Sequence, residues 1–398
     1  MNWADIETRQ ETIMRLHEYE GMDIFEKFGI PVPQRGVAGT ADEALKIAEE
    51  TGYPAILKSQ VLVGGRGLAG GIRPVQTPEE CRTTAEALLG TEIKGLPVRE
   101  IMVCKKAVIE RELYLGITID GYSGKPVVVV STEGGVRIEE TARTSPDKIA
   151  SFKIDPKFGF YPYQAVALLR RAGLDGKPLN ACADILVRLY KVFQHYEAMI
   201  AEINPLAVLA DGGLMAVDAV LEIDDSAMFR VKKMLSLSPE GRIGNRLERK
   251  GKEIGVTYVD LDGDIGLISS GAGLGMASMD IIGHGMKPAN FLETGGGITA
   301  DLLYKCMDLI LMKPLRAVFI NIYGGINPIH EGAKGIVRYI QEHGVTLPIV
   351  AKALGNHQEE TWEILKSGGI HVVTEAATEK AVERLAALLN TSSPMSRP

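Results

Sequence analysis

The chain has 398 residues, a formal net charge of -7 and 45% hydrophobic residues. This length predicts about two to three domains, and the acidic balance excludes the basic surface that nucleic-acid binding requires. No apolar run is long enough to predict a membrane span. The four cysteines form no CxxC pair, which argues against a disulfide framework or a structural zinc site. We therefore expect a protein of a reducing compartment, with the cytoplasm as its location.

The N-terminal residues MNWADIETRQETI lack the basic start and the apolar core of a secretory signal, and we expect residues 1–13 to form a short extension. Residues 15–29 then have apolar positions at helical spacing. Two further helices begin at Thr40 and Thr77, each with a glutamate three residues on, which is the pattern of a capping box. Short strands accompany these helices without strict alternation, so residues 14–250 are predicted to form an α+β domain.

A glycine-rich loop, GGRGLAGG, joins two strand-like runs of this domain. Glycine lets the backbone turn toward a ligand and leaves N–H groups free to hold phosphate oxygens. Lys58 ends the strand before the loop, where its ammonium could meet a phosphate. The spacing does not fit the Walker pattern GxxxxGKS/T, and a flexible hairpin tip explains the same glycines. Composition alone therefore leaves a phosphate site and a hairpin tip open.

The segment AEINPLAVLADGGLMAVDAVLEID predicts a β-hairpin whose apolar pattern is interrupted by Glu202, Asn204 and Asp218. Period-two alternation puts Glu202 and Asn204 on one face of the sheet. A three-residue loop, 210–212, would set Asp218 opposite Asn204 on that face. Amide and carboxylate oxygens suit Mg²⁺, which completes its coordination with water and nucleotide phosphates. A solvated polar patch beside a turn is the alternative interpretation.

From about residue 260 the pattern changes to a regular alternation of strands and helices, which predicts a doubly wound parallel sheet over residues 251–390. The charged stretch SPEGRIGNRLERKGKEIG marks the domain boundary, and residues 391–398 are predicted to be a disordered tail. Three glycine loops, GAGLG, TGGG and YGGIN, each follow a strand. They should line the carboxyl edge of the sheet, where helix N-termini attract anions, although close packing of strand and helix also favours glycine.

The sequence offers no obvious nucleophile for catalysis. Its seven histidines form neither an HxH nor an HExxH pattern, and no GxSxG motif is present. His330, beside Gly324 and Gly325, is the one histidine near a predicted ligand loop.

Eight segments occur in one order between about Met14 and about Leu389: LHEYEGMDIFEKFGIPVP, LKSQVLVGGRGLAGG, ERELYLGITID, STEGGVRIEE, EINPL, DGDIGLISSGAGLGMASMD, PANFLETGGG and VFINIYGGI. In this order they resemble the β subunit of ADP-forming succinate–CoA ligase. EINPL, ELYLG and NIYGGI together are far more specific than any glycine loop alone. The resemblance implies an α/β protein, in which an ATP-grasp nucleotide domain precedes a flavodoxin-like CoA-ligase domain.

The resemblance also implies a partner and a chemistry. In the family, a separate α subunit binds CoA and carries a histidine that is phosphorylated during turnover. The acid and ATP give an acyl phosphate through this phosphohistidine, and CoA then displaces phosphate. We therefore expect ATP/ADP, Mg²⁺, a small carboxylic acid and an α subunit as ligands and partners, with no nucleic acid and no membrane.

Residue roles carry over where the motifs match. Asn204 and Asp218 match the Mg²⁺ ligands, and Glu202 matches the acid that meets the mobile phosphohistidine. The segment 271–273 opens the helix whose dipole faces the phosphohistidine at the acyl site. The implied nucleotide-binding residues are Lys58, Gly65, Arg66, Gly67, Cys104, Ala107 and Glu112. The implied contacts to the acid substrate are Ser270, Gly324, Gly325 and Ile326.

Four departures from the family pattern concern these ligands. Cys104 stands where a glutamate is usual, Leu68 replaces a usual lysine, and Ser270 stands where asparagine usually contacts the substrate. After the glycines, GGINPIHEG replaces the usual Arg-Cys-Asp. A lost hydrogen-bond partner or arginine changes discrimination between substrates. Succinate is therefore the first expectation for the acid, with malate or another acid as the alternative.

Two other classes of function stay open from the sequence. One is an ATP-grasp ligase that joins an acid to an amine without CoA. The other is a non-catalytic nucleotide-binding partner that regulates another ligase.

Overall fold

The chain splits into two compact units, Met1–Arg242 and Ile243–Pro398, which we call unit 1 and unit 2. The predicted extension 1–13 and the end of the predicted tail, 393–398, lie outside the described residues. No helix among the residues described is both long and apolar enough to cross a membrane. The computed structural model describes residues 14–135, 138–235 and 245–392.

Unit 1 mixes antiparallel strands with helices. Its strands are β1 (Met14–Arg15), β2 (Arg35–Ala38), β3 (Ala55–Ser59), β4 (Ile72–Val75), β5 (Glu92–Ile93), β6 (Leu96–Pro97), β7 (Ile101–Lys105), β8 (Ile109–Asp120), β9 (Lys125–Ser131), β10 (Ile149–Lys153), β11 (Ala198–Leu209), β12 (Leu214–Ala216) and β13 (Val220–Ile223). Its helices are α1 (Glu18–Lys27), α2 (Ala41–Thr51), α3 (Pro78–Leu89), α4 (Ile138–Thr144), α5 (Pro162–Arg171), α6 (Pro178–His195) and α7 (Met228–Leu235).

The largest sheet of unit 1 has the order β1-β13-β11-β8-β9-β10, with β12 paired to β11, and a second sheet has the order β2-β7-β3-β4. Every pair in both sheets is antiparallel. Helix α6 packs against the large sheet because Ile185, Leu189 and Val192 recur on one helical face and are buried in the core that also contains β8 and β11 residues. The predicted α+β character of this unit is confirmed.

The local signals of unit 1 act largely as the sequence predicts. The side chain of Thr40 accepts a hydrogen bond from Glu43 N at 3.2 Å, so the predicted helix start of α2 is confirmed. Helix α1 begins later than the periodicity predicts, at Glu18. The reason is that Met14 and Arg15 pair with β13 as an edge strand, and this pairing takes their backbone out of the helix.

Unit 2 is built around one twisted sheet with helices on both faces. Its strands are β14 (Thr257–Asp260), β15 (Ile265–Ser269), β16 (Asn290–Glu293), β17 (Ala317–Gly324), β18 (Ile349–Gly355) and β19 (His371–Val373). Its helices are α8 (Arg246–Ile254), α9 (Ala272–Gly283), α10 (Ala300–Ile310), α11 (Ile329–His343), α12 (Gln358–Ser367) and α13 (Thr378–Ser392).

The sheet order of unit 2 is β14-β16-β15-β17-β18-β19. Strands β15 to β19 are parallel, and their order is that of a flavodoxin-like fold. Along β17, Val318 and Ile320 lie in the core shared with α10 and α11. Ala317 and Phe319 lie in the core shared with α9 and α13. This period-two division of the strand confirms the predicted doubly wound architecture.

Two features at the start of unit 2 differ from the predicted pattern. Part of the charged boundary stretch forms α8, which begins at the side chain of Asn245 and ends at Gly255 with φ 84°. Strand β14 then adds to the edge of the sheet antiparallel to β16. Both precede the regular alternation, because an edge strand needs no crossover helix to join the sheet. At the other end, α13 continues through Ser392, two residues into the stretch predicted as a tail.

Candidate functional site

Four charged side chains from distant parts of unit 1 meet in what we call the charge cluster: Glu18, Lys58, Arg66 and Asp218. The Lys58 ammonium donates to Glu18 Oε1 at 2.8 Å and to the backbone oxygen of Val217 at 2.7 Å. The Arg66 guanidinium donates to Glu18 Oε2 and, at 2.9 Å, to Asp218 Oδ1. Two cations and two carboxylates are thus joined in one chain of charge-assisted hydrogen bonds.

Burial makes these groups depend on one another. The Glu18 side chain is fully buried and that of Lys58 is 3% exposed, and an unpaired charge at such depth is strongly unfavourable. Burial raises the pKa of the Glu18 carboxyl, and Arg66 and Lys58 only partly oppose this. Burial also acts to raise the pKa of Asp218, but the two cations outweigh it and the pKa is lowered. Asp218, whose side chain is 27% exposed, is therefore an ionised carboxylate that reaches solvent.

The glycine-rich loop between β3 and β4 brings Arg66 to the charge cluster. Gly71 N donates to Arg66 O at 2.9 Å and closes the loop. Gly65 has φ 72°, a conformation that favours glycine. Gly65 and Gly67 are exposed, whereas the Arg66 side chain is 11% exposed. The loop thus presents its glycines to solvent and directs its cation inward.

The predicted hairpin forms from β11, β12 and β13. Val217 N donates to Pro205 O at 3.0 Å, and the strand pairs before and after this point keep one register. This register sets Asp218 opposite Asn204, which confirms the predicted pairing. The sequence therefore fixes correctly which amide and which carboxylate share this end of the hairpin.

A two-glycine turn after β9 covers Asn204 and Glu112. Gly135 N donates to Asn204 Oδ1 at 2.8 Å, and Gly134 N donates to the backbone oxygen of Glu112 at 3.1 Å. A Cβ on Gly135, which has φ 74°, would lie 2.0 Å from Glu112 Oε2. Glycine is required here because only its absence of a side chain lets Glu112 lie against the turn.

Glu202 is positioned by its neighbour strand β8. Gly116 is its direct partner across the sheet. The Tyr114 hydroxyl donates to Glu202 Oε2 at 3.1 Å. A Cβ on Gly116 would lie 2.4 Å from the Tyr114 hydroxyl oxygen. The missing side chain therefore lets the Tyr114 ring lie over Gly116 and reach the carboxylate.

Cys104 and Ala107 lie on and just after β7. Cys104 is 2% exposed, and burial raises the pKa of its thiol against the opposing effect of the Lys58 ammonium. Ala107 is half-buried in the link between β7 and β8. A neutral buried thiol and a methyl group supply no side-chain charge, so any ligand contact from these two positions would use the backbone.

In unit 2, the residues predicted to contact the acid lie where β15 and β17 end, at the switch point of the sheet. Ser270 Oγ donates to Tyr323 O at 3.1 Å and accepts from Tyr323 N at 2.8 Å. A hydroxyl has one donor, and Ser270 uses it on this backbone. Ser270 therefore joins the two strand ends, while α9 begins directly after Gly271 at the same edge.

The loop that begins at Gly324 is held from β18. Asn356 N donates to Gly324 O at 2.7 Å, and Asn356 Nδ2 donates to Ile326 O at 3.1 Å. A Cβ on Gly355, which has φ 114°, would lie 2.2 Å from Gly324 O. The Ile326 side chain is 90% exposed, and Gly325 is exposed beside it. The loop thus has a fixed backbone and open side chains.

The structure groups the candidate residues in two sets, one in each unit, and adds two residues that the sequence analysis missed. Tyr114 gave no separate signal. Glu18 did give one, because it stands on the apolar stripe of α1 with Met22 and Phe25, which are fully buried. An acid at such a position requires a buried cationic partner.

Two family models match the chain and together span most of it. Residues 15–208 match the ATP-grasp domain, and residues 268–386 match the CoA-ligase domain. These ranges fall in unit 1 and unit 2 respectively.

Full-length relatives are similar to the chain along both units. It is 43% identical over 372 residues to the GDP-forming succinate–CoA ligase subunit β of Thermus thermophilus, covering 93% of the chain and 98% of the relative. It is 40% identical over 375 residues to the ADP-forming subunit β of Haloarcula marismortui, with the same coverage. The fold is also that of ATP citrate lyase from Methanothrix soehngenii in complex with citrate and coenzyme A, at TM-score 0.71 and 18% identity over 96% of the chain and 100% of that structure. The chain therefore belongs to the family of succinate–CoA ligase β subunits, enzymes of the acid–thiol ligase class.

Proposed function

We propose that this chain is the nucleotide-binding β subunit of an ADP-forming acid–CoA ligase. The enzyme converts a small carboxylic acid, CoA and ATP to acyl-CoA, ADP and phosphate, and succinate is the first candidate acid. The observation that carries the proposal is the full-length likeness to succinate–CoA ligase β subunits, 98% of whose length the chain covers.

The charge cluster supports nucleotide binding in unit 1. Lys58 and Arg66 supply two cations beside an exposed glycine loop, and this combination suits phosphate oxygens. Glu112, with the backbone of Cys104 and Ala107, would contact the rest of the nucleotide. The cations are already oriented by Glu18, so they need little reorganisation when a phosphate arrives.

The donor set on the hairpin fits Mg²⁺. Asn204 offers an amide oxygen, and Asp218 offers a carboxylate whose pKa is lowered and which is therefore ionised. Mg²⁺ takes one or two such protein ligands beside nucleotide phosphates. When bound, the ion would offset negative charge on the transferring phosphoryl group. Arg66 shares Asp218 Oδ1 with the backbone of Ala219, so metal binding would use the more exposed part of this carboxylate.

Glu202 would receive the phosphohistidine of a partner α subunit. The chain offers no nucleophile arrangement of its own, and a carboxylate can orient an imidazole by accepting its ring N–H. The Tyr114 hydroxyl fixes one oxygen of Glu202, which reduces the orientations that the carboxylate can take. The α subunit would also bind CoA.

The acid would bind in unit 2 at the loop of Gly324, Gly325 and Ile326. Backbone N–H groups of a glycine loop and the N-terminus of α9 suit a carboxylate or an acyl phosphate. Ser270 matches a substrate contact of the family, but its donor is used on Tyr323. We therefore assign Ser270 the role of fixing the loop on which the acid lies.

The reaction class is tested with the chain purified together with its α subunit. ADP and phosphate should be released only when acid, CoA and Mg²⁺ are all present. Turnover by the β chain alone would refute the two-subunit proposal. Product formation with an amine in place of CoA would instead support an ATP-grasp ligase of another class.

The acid is tested with a panel that includes succinate and malate, on the wild-type complex and on Ser270→Ala. If Ser270 only fixes the loop, the variant should raise KM for every acid by a similar factor. A changed order of preference would show that Ser270 contacts the acid directly. Running the panel with ATP and with GTP identifies the nucleotide in the same experiment.

A further inference from the structure

A cluster of metal-ligating side chains lies in unit 2 outside the residues assigned above. His330, His357 and Glu360 place one potential ligand atom each within 4.8 Å of one another. The two imidazole rings have centroids 4.6 Å apart. The three residues come from two segments, the first turn of α11 and the start of α12.

The state of the two histidines indicates more than chance proximity. His330 Nδ1 is buried and makes no hydrogen bond within the part of the chain that the structure describes, and a buried polar atom without a partner is unfavourable. His357 has φ 58° and ψ 34°, a left-handed conformation that is uncommon outside glycine. Its neighbour Asn356 is anchored to Gly324 and Ile326, so the ring of His357 is supported by a fixed backbone.

Local charge favours a cation over an anion at this place. His330 Nε2 lies 3.1 Å from Glu331 Oε1, and His357 Nδ1 lies 3.3 Å from Glu360 Oε2. Lys334 neutralises Glu331 at 2.6 Å, which leaves Glu360 as the carboxylate nearest to both rings. A carboxylate substrate would meet this negative charge, whereas a divalent cation would be stabilised by it.

We propose that His330, His357 and Glu360 bind a divalent transition-metal ion of the Zn²⁺ class. Two imidazoles and one carboxylate form a ligand set that Zn²⁺ accepts with a further position open to water or substrate. Mg²⁺ prefers oxygen ligands, so this site differs in selectivity from the oxygen site on the hairpin. The ion would connect the starts of α11 and α12 beside the loop of Gly324, and the proposal does not depend on the ligase reaction.

The test is a Zn²⁺ titration by calorimetry of the chelator-treated full-length chain in saturating Mg²⁺. One equivalent should bind, and His330→Ala, His357→Asn and Glu360→Gln should each lower the association constant by about tenfold or more. Asparagine is chosen at 357 because it tolerates the left-handed backbone. His284→Ala, an exposed histidine elsewhere in unit 2, is the matched control and should bind as the wild type does.

Two results would overturn the proposal. One is equal binding by the wild type and the three site variants, or an equal loss in His284→Ala, which would indicate scattered surface histidines. The other is displacement of Zn²⁺ by saturating Mg²⁺. Thermal unfolding of each metal-free variant by circular dichroism separates lost ligands from lost folding. Glu360→Gln is the decisive variant, since Glu360 is exposed and its change should leave the fold intact.

Discussion

The two units build their candidate sites from different materials. In unit 1, the site consists of charged side chains, Glu18, Lys58, Arg66 and Asp218, that come from four separate elements or loops. In unit 2, the site consists of backbone at the ends of β15 and β17, fixed by a serine and an asparagine. The comparison teaches that the first site depends on charge balance and the second on the space that glycines leave open.

This difference predicts two kinds of sensitivity. Charge-removing substitutions should damage unit 1 strongly, because buried ions lose their partners. In unit 2, an added methyl group should have the larger effect, because the loop backbone packs against Gly355 without space for a Cβ. The following variants would break or sharpen the comparison.

The largest effect is expected for Asp218→Asn. Loss of this carboxylate removes the anionic ligand proposed for Mg²⁺ and a partner of Arg66, and turnover should fall by about a hundredfold or more. Nucleotide affinity should also lose its dependence on Mg²⁺, as measured by calorimetry with and without the ion. Asp211→Asn in the loop of the same hairpin is the control and should retain both properties. Undiminished Mg²⁺ dependence in Asp218→Asn would contradict the assignment.

The next effect is expected for Glu18→Gln. It leaves the buried Lys58 ammonium without a carboxylate partner, which should lower the free energy of unfolding by about 3 kcal/mol. Chemical denaturation measures this loss, and nucleotide titration should show weaker binding as the cations move. Glu26→Gln on the same helix, where the carboxylate is exposed, should change stability by less than about 0.5 kcal/mol. Similar values for the two variants would refute the charge cluster as a stabilising unit.

In unit 2, Gly355→Ala should raise KM for the acid roughly tenfold, since a misplaced loop loses aligned contacts. Nucleotide binding in unit 1 should not change. Gly369→Ala is the matched control, because Gly369 has φ 77° but open space around it, so it reports backbone strain alone. If the two variants behave alike, strain and not the contact with Gly324 explains the effect.

The smallest effect is expected for Tyr114→Phe. It removes one hydrogen bond to Glu202, about 1 kcal/mol, which corresponds to a roughly fivefold lower kcat. KM for nucleotide should stay constant, because the Tyr114 hydroxyl contacts the proposed catalytic acid and not the cations. A change in KM with constant kcat would show that Tyr114 serves nucleotide binding instead.

Much of the fold could be predicted because its signals are local. Capping residues locate the start of α2, and strand–helix alternation predicts the parallel sheet of unit 2. The register of the hairpin follows from a three-residue loop, so the opposition of Asn204 and Asp218 is also predictable. Strand β1 and helix α8 were not predicted as such, because pairing with β13 and packing beside β14 decide them, and neither partner is local in sequence.

The sequence by itself determined the family, the order of the two folds and the candidate ligands on the hairpin, since ordered motifs and period-two spacing are properties of the chain alone. Only the tertiary structure decided that Glu18 bridges Lys58 and Arg66, that Tyr114 reaches Glu202 across Gly116, and that Ser270 is engaged by Tyr323. Two further histidines came together in the same way beside the loop of Gly324. The physical reason is that a side-chain contact between distant segments depends on packing and burial, which local spacing does not encode.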